Sequence, residues 1–175
     1  MPVIDWDSKL EAAYRKRGYG ACLWPEPFNE DTLESALLFC RECRTWNEAE
    51  KAIQHLPQDL DYLGVIAQQW FRAKTEGGVL HLLKARRMVV SWFLRCLELH
   101  QMGLRREDSV LGGEKFLPAC LHVWRLEHLY EDLRRTHPEW GMEESRHLQF
   151  QGDRALTRFA LPNDSSCTAI NGEAT

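Results

Sequence analysis

The sequence predicts an all-α fold, an irregular bundle of about six helices with a disordered C-terminal tail. Three observations carry that expectation. Apolar residues recur three and four positions apart along much of the chain, and helix start and stop signals bracket those stretches. The most apolar stretch, 79–102, confines its polar residues Lys84, Arg87, Ser91, Arg95 and Glu98 to one narrow stripe. At 175 residues, with 44% apolar and 27% charged side chains, the chain is long enough for one core and ordinary for a globular domain.

Taken in order, residues 7–17 read as a first helix, with Asp7 or Ser8 as cap and Gly18 beyond its end. Residues 19–29 read as a loop, because Pro25 and Pro27 exclude helix and favour an extended path. Leu33, Leu37 and Cys40 at helical spacing predict a helix from Asn29, its cap, to about Arg44. Thr45-Trp46-Asn47-Glu48 matches a capping box, which predicts a short helix presenting Ala49, Ile53 and Leu56. Pro57 suits the first position of the next helix, which carries Leu60, Leu63, Ala67, Trp70 and Phe71 and stops at Gly77-Gly78.

The stretch 79–102 is expected as the central helix, ended by Gly103 and followed by a charged loop over 104–113. Pro118 then opens a helix whose inner face is Ala119, Val123, Leu126, Tyr130 and Leu133 and which ends before Pro138. After Trp140 the period is ambiguous, and a short hairpin or a small terminal helix both fit. Residues 1–161 are expected to form one domain. The small polar residues 162–175 offer too little apolar surface to offset the entropy of ordering, which predicts disorder.

A net charge of −4 argues against a surface made throughout to grip nucleic acid or anionic lipid. No apolar run reaches the length of a membrane span, and the first residues lack the pattern of a secretory signal, so the expected location is the cytoplasm. Reduced thiols are expected there for Cys22, Cys40, Cys43, Cys96, Cys120 and Cys167. Cys40 and Cys43 have the spacing of zinc or redox pairs, yet no second pair completes a zinc site and the helical placement favours buried thiols. The seven histidines form no zincin or di-iron pattern, and no phosphate loop, dinucleotide turn or serine elbow is present. No cofactor or metal is therefore expected.

What remains points to interaction rather than catalysis. The leading expectation is a non-enzymatic interaction or regulatory protein that docks onto a protein partner; neither the partner nor the oligomeric state is legible. Its docking residues are expected in Trp24, Pro25, Pro27 and Phe28, two aromatics flanking prolines that have already lost much of their freedom. The competing expectation is that Trp24 and Phe28 fold back over the protein's own core. A second function class is an accessory subunit touching nucleic-acid backbone through Lys84, Arg86, Arg87, Arg105, Arg106, Arg134 and Arg135. Interleaved acids weaken that reading. A third class is an enzyme whose site the sequence hides.

Overall fold

The computed structural model describes residues 21–47, 50–57, 60–82, 89–113, 116–150 and 156–171, so the expected first helix at 7–17 lies outside the described residues. Helix α1 spans Leu33–Glu42. Its cap is Thr32, not Asn29: Thr32 holds an extended backbone and its Oγ1 accepts from the Ser35 amide at 3.2 Å. Ala36, Phe39 and Cys40 turn into the core at the spacing the sequence shows.

The predicted capping box and short helix are instead two strands. β1 (Arg44–Asn47) and β2 (Ala52–His55) pair antiparallel, with Trp46 opposite Ile53. Thr45 is buried while Trp46 is exposed, which is the alternation of a strand and not a helical stripe. A bidentate ion pair fixes the ribbon, Arg44 donating from Nε and Nη2 to the nearly buried Asp132 carboxylate at 2.9 and 2.8 Å.

Helix α2 (Asp61–Glu76) starts four residues after Pro57 and ends at Gly77, whose φ of 69° is left-handed and whose amide donates to Ala73 O. Helix α3 (Val90–Leu104) is the buried central element, shorter at its start than the sequence predicts: 79–82 are not helical and 83–88 lie outside the described residues. Gly103 does not end it. A Cβ at this position would overlap the Trp24 indole, so the glycine is a seat for that ring.

The expected loop at 104–113 contains β3 (Asp108–Gly113), and α4 (Phe116–Thr136) follows with Pro118 in its first turn, where no helical amide is needed. A 3-10 turn (Pro138–Trp140) leads to β4 (Arg146–Phe150), β5 (Leu156–Ala160) and β6 (Ser166–Asn171). These strands form a four-stranded sheet in the order β3-β6-β5-β4, parallel only between β3 and β6. The all-α expectation is therefore corrected: among the described residues the fold is mixed, with four α-helices, a two-stranded ribbon and a four-stranded sheet. Helix α4 lies against β3, β5 and β6 and covers one sheet face.

The expected disordered tail is corrected too, for every residue of it that the structure describes. Asn163 donates from Nδ2 to Met102 O at 2.8 Å, and the Ser165 hydroxyl lies 2.6 Å from Met102 O and 2.9 Å from Arg105 O. These are carbonyls that the C-terminal end of α3 leaves without helical partners. Cys167 and Ala169 of β6 then enter the core. Composition counts apolar surface and misses polar side chains used as caps, which is why the segment reads as a tail.

Candidate functional site

The sequence-predicted anchors Trp24 and Phe28 are only 4% and 9% exposed. Trp24 donates from Nε1 to His100 O at 2.7 Å and lies tilted against Phe39 with centroids 4.7 Å apart. Phe28 meets Trp140 at 5.1 Å. The backbone between them is tied down as well: His100 Nε2 lies 3.0 Å from Phe28 O, and the Ser35 hydroxyl donates to Pro27 O at 3.1 Å. The loop is a strap over the protein's own core, with Glu26 and Pro27 outermost and Pro25 half-buried.

Ser35 and His100 come within 3.2 Å of each other, a pairing that the sequence does not reveal because 65 residues separate them. Both are buried and both serve backbone carbonyls of the strap, so they lack the access a nucleophile and its base require. Burial holds the His100 imidazole down at about 4, against the opposing pull of the Phe28 carbonyl and Asp31. Gln101 Nε2 faces Nδ1 at 3.2 Å, which keeps that nitrogen the acceptor and Nε2 the donor.

Among the basic residues, Lys84, Arg86 and Arg87 lie outside the described residues. Arg105 pairs with Asp31 and Glu107, while Arg106 is exposed beside it after the end of α3. Arg134 pairs with Glu131, and Arg135 lies 3.9 Å from Asp132, both in the last turn of α4. Arg105, Arg134 and Arg135 thus each have an acid beside them, as the interleaving implies. Among the described residues no group of three or more His, Cys, Asp or Glu is arranged to hold a metal ion, and no helix is long and apolar enough to cross a membrane.

The feature that sequence reasoning missed is the outer face of α4. Its inner residues Ala119, Val123, Leu126, Tyr130 and Leu133 are buried as the periodicity predicts. Leu117, Leu121 and Trp124, four and three residues apart, run along the other side and remain 63%, 44% and 39% exposed. The ridge continues to His128, which meets the Trp92 ring of α3 at 5.8 Å, and the Arg125 guanidinium lies over that ring at 5.2 Å. The signal was available as a second apolar stripe on one helix. Comparison with known proteins finds no matching family model, no matching curated protein and no matching solved structure.

Proposed function

We propose that this chain is a non-enzymatic interaction protein that docks a helical segment of a protein partner on the outer face of α4. The observation that supports this reading is the exposed ridge of Leu117, Leu121 and Trp124. Scattered apolar side chains on a surface are ordinary, but three aligned on one helix form a ridge of the kind a second helix receives in its grooves. The ridge stands on a long helix whose opposite face is fixed in the core, so docking here orders little of the receiving surface. A tryptophan at the end of such a ridge has the size and polar edge that interface anchors favour.

The nucleic-acid alternative has less support, because the described arginines at 105, 134 and 135 sit beside acids that offset their charge. The reading places the protein in the cytoplasm, where cysteines such as the five buried ones serve as free core thiols.

The test compares capture by the wild-type chain with capture by Leu121→Glu and by a control, Val110→Glu, which alters a still more exposed apolar residue on β3. A partner retained by wild type and by the control but lost with Leu121→Glu supports docking on α4. Equal retention by all three chains refutes it.

A further inference from the structure

Helix α2 carries a glycine that nothing in its surroundings asks for. Gly64 stands one turn into the helix, its backbone has no positive φ, and a Cβ built on it would meet no atom within 4 Å. Glycine inside a helix is destabilising relative to alanine, so a glycine required neither by the backbone nor by a close neighbour calls for another account. The space in front of it supplies one. Gly64 lines a cavity of about 290 Å³ between α1, α2 and α3, walled by Leu37, Leu56, Leu60, Leu63 and Phe93.

Two side chains of opposite charge share that lining. Arg41 follows Leu37 by one turn of α1, and Asp61 precedes Gly64 by one turn of α2, which sets each charge on the side of its helix that faces the cavity. Both residues are exposed, so they stand at the mouth, and neither is held in an ion pair among the described residues. An apolar interior with one cation and one anion at its opening is the complement of a small zwitterion with an apolar body. The volume lies near the lower end of ligand pockets and, at water's share of roughly 30 Å³ per molecule, holds about ten non-hydrogen atoms.

We propose that this cavity binds a free α-amino acid with an apolar side chain. The side chain enters between Leu56, Leu63 and Phe93 over Gly64, the carboxylate accepts from the Arg41 guanidinium, and the ammonium donates to the Asp61 carboxylate. A charge-assisted contact at each end fixes the orientation. The walls select against polar side chains, which would give up their hydrogen bonds to water and find no partner inside. None of the lining comes from α4, so a ligand held here leaves the ridge of that helix uncovered.

Isothermal titration of the full chain with L-leucine tests this, beside N-acetyl-L-leucine, which lacks the ammonium, and L-leucinamide, which lacks the carboxylate. The expected result is saturable one-to-one binding of L-leucine. Affinity falls about tenfold or more for each capped form, and for L-leucine with Arg41→Gln or Asp61→Asn, the effect of losing one charge-assisted hydrogen bond. Gly64→Leu fills the cavity and ends binding, with the melting temperature unchanged or raised because the new side chain enters open space on a helix. No saturable binding of L-leucine by the folded wild-type chain overturns the proposal. So does equal affinity for the capped forms, or binding that survives Gly64→Leu.

Discussion

Gly103 has no side chain because the Trp24 indole occupies the space where one would stand. Replacing it with alanine sets two effects against each other. Helix propensity favours alanine by about 1 kcal/mol in a helix interior. Overlap with a ring that is hydrogen-bonded to His100 O and wedged against Phe39 costs about 1 to 3 kcal/mol, since the indole has nowhere to retreat. Gly103→Ala is therefore expected to lower the urea midpoint, and a raised midpoint would show that the ring is not seated there. His100 gives a second prediction at this scale. In the unfolded chain it titrates near 6.5 and in the fold at about 4, so below pH 6.5 the unfolded state binds the extra proton. The stability linked to neutral His100 is complete above pH 6.5 and falls as pH drops toward 4, by roughly 3 kcal/mol in all. The difference in unfolding free energy between wild type and His100→Gln is expected to shrink over that window; a difference independent of pH would contradict the buried neutral imidazole.

Among the elements, the turn between β5 and β6 completes the end of α3. Asn163→Ala leaves the Met102 carbonyl with only the Ser165 hydroxyl and removes the bond to Ala21 O. A loss of about 1 to 3 kcal/mol is expected by chemical denaturation, with a larger effect when Ser165→Ala is added, because a buried acceptor is then unsatisfied. A neutral double variant would mean that the turn does not cap α3. This element also marks where the sequence ceases to be legible. Helices α1, α2 and α4 were readable because ten or more residues repeat an apolar stripe. β1 and β2 have four residues each, too few to separate alternation from one helical turn, and Thr45 to Glu48 carries a capping pattern that tertiary pairing overrides. β3 and β6 were illegible for another reason: a short strand such as Asp108–Gly113, with only two apolar side chains and two glycines, gains its stability from a partner some sixty residues away. In the candidate site, the prolines made the 24–28 loop visible. The direction of Trp24 was not visible, since it depends on His100 and Gly103 far along the chain.

For the whole molecule, one helix joins two roles. The inner face of α4 covers the sheet and carries the Tyr130, Leu126 and Leu133 core, while its C-terminal half anchors the β1–β2 ribbon through Asp132. Its outer face is left with Leu117, Leu121 and Trp124. A ridge on a helix so firmly fixed can be altered without loosening the fold, which separates docking from stability in experiment. The measurement that decides is the dissociation constant for the partner captured through this face, taken together with the melting temperature, for wild type and Trp124→Ala. Docking on α4 predicts weakening by about thirtyfold, the equivalent of about 2 kcal/mol for an anchoring aromatic, with melting nearly unchanged. An unchanged dissociation constant, or a collapse of melting temperature in the isolated variant, would contradict it.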